Sequence, residues 1–289
     1  MGTFRDGHFG FDTRLGILQA AVLICDTARM PMIPPIAAIA LYVAGFYLRW
    51  QHRGDNSPRA LAVLLPVAAL TLHALVCWGL VFSPQGINLS VVAVSNLVAM
   101  VLVLVVTIAN IRLPVENLYI FLFPIAGLAV LAALLVKPGA TPLQHVTPIV
   151  LGHIFVSLAA YSALMMAAVQ SVMLVFQERH LRSPDKPVLQ ILPPLETMER
   201  LLLAMLWIGF VLLSASIFSG YLFLDDILEN QVMHHIVLTS LSWCVYVFFL
   251  TGRYLFGWRG LTAVRWTLVA FSLLVLGYLG SKLVVEYLL

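Results

Sequence analysis

Beyond its first 31 residues the chain alternates between long apolar runs and short polar breaks. The runs fall near Met32–Leu48, Ala60–Phe82, Leu89–Ile111, Leu118–Val136, Pro148–Phe176, Arg200–Leu224, Ile236–Thr251 and Trp266–Leu288. A helix rises about 1.5 Å per residue, so crossing a hydrocarbon core takes roughly 20 apolar residues. Each run approaches or exceeds that length. In lipid every backbone N–H and C=O must be bonded within the protein, which leaves helices and closed barrels. Barrel strands are shorter and alternate in character, unlike these runs. The pattern therefore predicts an all-α fold, a polytopic transmembrane helical bundle of about eight helices over residues 32–289.

Residues 1–31 read differently. Leu15–Cys25 is apolar for only 11 residues, between Arg14 and Asp26. That is too short to span, and the segment lacks the basic start of a signal peptide. An interfacial helix and an over-extended start both fit, with a natural membrane start at Met30 or Met32.

Composition narrows the function classes. The chain is 62% hydrophobic and only 10% charged, whereas a soluble domain carries about 25% charge. The net charge of +3 is small, and no basic patch points to nucleic acid. No nucleotide loop, nucleophile elbow or HExxH zinc site occurs, so nothing points to an enzyme. Cys25, Cys77 and Cys244 form neither CxxC nor CxxCH, which excludes a thiol redox pair and covalent heme attachment through that motif. Carboxylates are nearly absent from the runs (Glu286 lies near one end), so cation-coupled transport lacks its relay residues.

Charge sets the orientation. Arg49, Arg53, Arg59, Arg112, Arg179, Arg182, Lys186, Arg200, Arg253, Arg259 and Arg265 fall in one set of alternate loops, against Lys137 and Lys282 in the other. The positive-inside rule puts the first set in the cytoplasm. His73, His145, His153, His234 and His235 then lie in the outer half, while His52 and His180 lie in arginine-rich inner loops.

An ionisable group within a span costs about 2.5–3.5 kcal/mol on insertion scales and is a site hypothesis by default. His73 sits about 13 Å below the outer end of the second span, at 1.5 Å per residue. Asn96 in the third span is at a similar depth, so a His73–Asn96 hydrogen bond would satisfy both. His153, Ser157 and Tyr161 share a helical face, which suits a ligand histidine supported by hydroxyls. The same residues, with Ala160, Ala163 and Ala167, also suit close helix packing. His234 and His235 close the outer loop before the seventh span. On a helix they would point about 100° apart, so only one could face a shared ligand.

Other polar groups have local readings. Arg112 and Glu116 are four apart and are expected to pair. Ser214, Ser216, Ser219 and Gly220 form a small-residue packing stripe. The second half of the loop at 177–199 is apolar enough to lie along the inner surface.

The ordered set LGHIFVSLAAYSALMMAAVQSVMLVFQERHLR, LPPLETMERLL, GFVLLSASIFSGYLFLDD, HHIVLTSLSWCVYVFFLTGRYLFGWRG and RWTLVAFSLLVLGYLGSK resembles the cytochrome c assembly family. These are CcsA-like heme-handling membrane proteins, and the resemblance is closest to their HemX/YpjD-like inner-membrane branch. It covers the chain from about Met32 onward and is strongest after Gly152. It implies that His153 matches the family's outward histidine beside an external heme. The family's tryptophan-rich heme loop falls here on DDILENQVMHH, which has no tryptophan. The family's membrane histidine falls on Thr251, and no histidine follows His235 to supply the second outward one.

The resemblance thus implies a multi-pass protein of the bacterial inner membrane that binds heme non-covalently or assists cytochrome biogenesis. His153 would be one iron ligand, with His235 or His234 opposite and His73 a further cofactor-binding candidate. Two other classes stay open. One is a cofactor-free partner or regulatory subunit docking a protein through the cytoplasmic loop 177–199. The other is a heme transporter with an outward cavity lined by His73, Asn96 and His153.

Overall fold

A computed structural model describes residues 32–51, 59–83, 86–111, 116–136, 143, 146–181, 195–223 and 233–280. The N-terminal extension, His145 and the centre of the 177–199 loop lie outside them. Within the unit Ile33–Leu289 the described residues form eight α-helices: α1 Ile33–Gln51, α2 Arg59–Val81, α3 Val91–Ala109, α4 Tyr119–Leu135, α5 Pro148–Leu181, α6 Leu195–Phe223, α7 Met233–Phe256 and α8 Leu261–Val275. A π-helical turn, Leu276–Gly280, extends α8. Seven helices are long and apolar enough to cross a membrane, and Tyr119–Leu135 is a shorter apolar one. The protein is an all-α polytopic bundle.

The helices pack as two rings of four. In the first, α1 packs on α2 and α4, and α3 closes the ring against α2 and α4. In the second, α5 pairs most extensively with α6, α7 pairs with α8, and α8 returns to α5. The rings meet where α3 packs on α5. In that position Val92, Val98, Leu102, Val103 and Val106 of α3 are buried, while Leu104 and Ile108 stay exposed.

Local chemistry sets the ends. Ser90 caps α3 by accepting from Ala93 N, while Asn88 Oδ1 accepts from Ser90 N at 2.8 Å; both satisfy amides that the first helical turn leaves orphaned. At the outer rim Phe82–Ser83 and Gly86–Ile87 form a short antiparallel hairpin. Ile87 also exchanges both backbone hydrogen bonds with Leu143, at 3.1 and 2.9 Å, tying the α2–α3 turn to the approach of α5. At the opposite end Glu116, in a 3-10 turn before α4, pairs with Arg49 of α1. Glu116 thus reaches across to another helix, while Arg112, its expected partner, lies outside the described residues.

Several helices extend beyond the hydropathy reading, α5 running on to Leu181 and α6 beginning at Leu195. α7 begins at Met233, so His234 and His235 belong to its first turn rather than to the loop. α8 begins at Leu261, a full turn before Trp266. Helices continue past the apolar stretch into the interface, where polar side chains meet water and the backbone ladder is unaffected. Hydropathy marks the hydrocarbon, not the helix.

Candidate functional site

The histidines in the described residues separate by ring. His73 lies inside the first and is wholly buried. Its Nδ1 is 2.9 Å from Tyr42 Oη and its Nε2 is 3.2 Å from Asn96 Oδ1. Asn96 commits both amide hydrogens elsewhere, to Val92 O and Ala129 O, each at 2.9 Å. Asn96 Oδ1 must therefore accept, which puts the His73 proton on Nε2 and leaves Nδ1 to accept from the Tyr42 hydroxyl. The imidazole is neutral and fully bonded, joining α1, α2 and α3 with the α4 backbone. The His73–Asn96 bond is the one that the matching depths predict.

His153 is in the second ring, half-exposed near the outer end of α5. Its Nδ1 is 2.9 Å from Ser219 Oγ on α6. Ser219 donates its own hydrogen to Ser216 O at 3.0 Å, so it accepts from His153 Nδ1–H. Ser157 Oγ lies 3.4 Å from Nε2, but its hydrogen goes to the His153 carbonyl at 2.7 Å. Ser216 then donates in the 2.6 Å contact between the two serine hydroxyls. With Ser219 accepting, the proton lies on Nδ1, and Nε2 has only the longer 3.4 Å contact to Ser157 Oγ. A ligand histidine is commonly anchored this way, through the nitrogen that does not bind the metal.

The sequence reading assigned Ser216, Ser219 and Gly220 to packing alone. They do pack, and they also orient His153. A Cβ on Gly220 would come within 3.2 Å of His153 Cε1, so glycine lets the ring lie against α6. Spacing reveals such a stripe, but not which side chain of a neighbouring helix it will meet.

His235 is half-buried and His234 exposed. The His235 ring meets Tyr278 edge-on with centroids 5.8 Å apart, and Tyr278 meets Tyr161 at 6.0 Å. Tyr161 is two turns along α5 from His153, and His153 and His235 both lie near the starts of their helices, α5 and α7. The hydroxyls of Tyr161, Thr239, Tyr246 and Thr267 are buried without hydrogen-bond partners. His73 and Asn96 are sealed in the first ring and His153 packs on α6, so the three do not line one cavity. Among the described residues no group of three or more His, Cys, Asp or Glu is placed to hold a metal ion.

The family model described as cytochrome C assembly protein matches residues 61–289. The chain belongs to the cytochrome c assembly protein family. This cytochrome c assembly protein is 29% identical over 265 residues to the inner membrane protein YpjD of Escherichia coli K12, covering 89% of this chain and 97% of the relative. It is 27% identical over 172 residues to protein HemX of Brevibacillus brevis, covering 57% and 63% of the two chains. No solved structure matches it. With its membrane-spanning helices and its inner-membrane relatives, the family member is a multi-pass protein of the bacterial inner membrane.

Proposed function

We propose that this cytochrome c assembly family member is a non-enzymatic heme-binding or biogenesis accessory protein. In this reading heme is held at the outer end of the second ring. His153 and His235 would hold the iron through their imidazole nitrogens, with exposed His234 as the alternative to His235. Heme supplies an iron that imidazole can ligate and a broad apolar ring that helix faces can hold. The residues themselves contribute orientation. Ser219 fixes the His153 tautomer, Gly220 admits the ring, and the Tyr161–Tyr278 string offers an aromatic wall.

The observation that carries the reading is the contrast between the two membrane histidines. Both nitrogens of His73 are engaged, so it serves here as a structural joint. His153 Nε2 has only a long contact to Ser157 Oγ, at 3.4 Å. The unpartnered buried hydroxyls of Tyr161 and Thr239 also suit a ligand that brings its own polar groups. The absence of tryptophan from residues 225–235 fits a reduced site rather than the family's full heme loop.

The test is the absorption spectrum of purified protein titrated with hemin. Wild type should give a bis-imidazole spectrum that His153→Ala abolishes. Ser219→Ala should retain the spectrum but bind hemin roughly 10–100-fold more weakly, the usual effect of losing the group that orients a ligand. His73→Ala should not move the iron bands. No bis-imidazole species in wild type, or one indifferent to His153→Ala, would remove the site.

A further inference from the structure

The cytoplasmic end of the second ring carries an aromatic assembly that the heme reading does not use. An open groove of about 380 Å³ runs along the inner half of α7, lined by Trp243, Val247, Phe248, Gly252, Phe256 and Trp258. Trp258 and Trp266 stack with centroids 6.2 Å apart and planes 9° from parallel. Phe248 meets both edge-on, at 5.4 and 4.9 Å, and Phe256 stacks on Trp258 at 6.0 Å. Much of this surface is open, with Phe248 52% and Phe256 72% exposed.

The wall is held in place by specific devices. A Cβ on Gly252 would overlap the Trp258 ring, so glycine lets the indole lie flat on α7. Arg253 Nη1 donates to Trp258 O at 2.8 Å. Gly257 and Gly260, with φ of +66° and +55°, turn the chain in a conformation that favours glycine. Glu199 of α6 accepts from Gly260 N at 3.1 Å and pairs with Arg253 at 3.6 Å. An ordinary lipid-facing surface needs none of this.

Charge indicates the occupant. Arg253 is balanced by Glu199. Arg259, next to Trp258, and Arg265, next to Trp266, are both exposed, and among the described residues neither pairs with a carboxylate. Trp258 and Trp266 thus each have an exposed arginine as chain neighbour, at the end of the bundle that the positive-inside rule assigns to the cytoplasm. Tryptophan favours that level, and basic pockets between helices on that side bind anionic headgroups. We propose that this groove is a binding site for an anionic phospholipid of the cytoplasmic leaflet, with an acyl chain along α7 and the phosphate between Arg259 and Arg265.

Native mass spectrometry of the detergent-purified full chain, titrated with phosphatidylglycerol and with phosphatidylcholine, tests this. Wild type should retain phosphatidylglycerol roughly 10–30-fold better, from two basic contacts near the surface. The double variant Arg259→Gln/Arg265→Gln should lose that preference while keeping its melting temperature, since both side chains are exposed. Gly252→Ala, which displaces Trp258, should weaken retention of both lipids. Equal retention by wild type, or a preference that survives the double variant, overturns the proposal. So does a lipid-free dimer that protects the Trp258 face from chemical labelling, which would put a second copy of the chain there.

Discussion

Two histidines of the same sequence class do different work, and the difference lies in where four hydrogens go. Asn96 sends both of its amide hydrogens to carbonyls and so turns an acceptor toward His73. Ser219 sends its one hydrogen to a carbonyl and so turns an acceptor toward His153 Nδ1, while Ser157 likewise gives its hydrogen away from Nε2. The first arrangement closes a polar cluster, and the second leaves His153 Nε2 with only its 3.4 Å contact to Ser157. Asn96→Ala should therefore leave the His73 Nε2–H buried without an acceptor. That should cost about 1–3 kcal/mol, read as a lower melting temperature in detergent with no change in the hemin spectrum. An unaltered melting temperature would mean that His73 does not depend on this partner. Depth alone made the His73–Asn96 pair legible in the sequence. The anchoring of His153 Nδ1 was not, because it depends on hydroxyl hydrogens contributed by α6, some 60 residues away.

At the scale of elements, the apolar runs identified every one of the eight helices because length and uniform hydrophobicity are local properties. What escaped is what lies past the hydrocarbon. His234 and His235 ride on the first turn of α7, and Leu261–Arg265 opens α8. Ion-pair choice is equally non-local. Glu116 meets Arg49 and Glu199 meets Arg253, partners that only the folded rings bring together. Leu195–Glu199, read as the end of a loop, forms the first turn of α6. That turn places Glu199 under the α7–α8 connection, where its carboxylate holds Gly260 N and Arg253 together. Glu199→Ala should release this turn. The expected loss is about 1.5–3 kcal/mol for a charge-assisted hydrogen bond, with faster hydrogen exchange at the Gly260 amide. Unchanged exchange at Gly260 would show that the glycine-bounded turn holds itself.

For the molecule as a whole, every functional statement depends on which side of the membrane each end faces. The assignment rests on eleven basic residues in one set of connections against Lys137 and Lys282 in the other. The structure brings the features of each side together. The hairpin and the starts of α5 and α7, which carry His153 and His235, lie at one end, while Arg49–Glu116, Glu199–Arg253 and the Trp258 groove occupy the other. Two positions discriminate the sides directly. Thr147 is exposed just before α5 at the predicted outer end, and Glu196 is 87% exposed at the predicted inner start of α6. In a cysteine-free background, Thr147→Cys should react with an impermeant maleimide in intact spheroplasts. Glu196→Cys should react only after lysis. The reverse pattern would place His153 in the cytoplasm and the arginine-flanked groove outside, and both readings would then need the opposite source of ligand. The measurement needs neither heme nor lipid, so it tests the orientation separately from the two binding proposals.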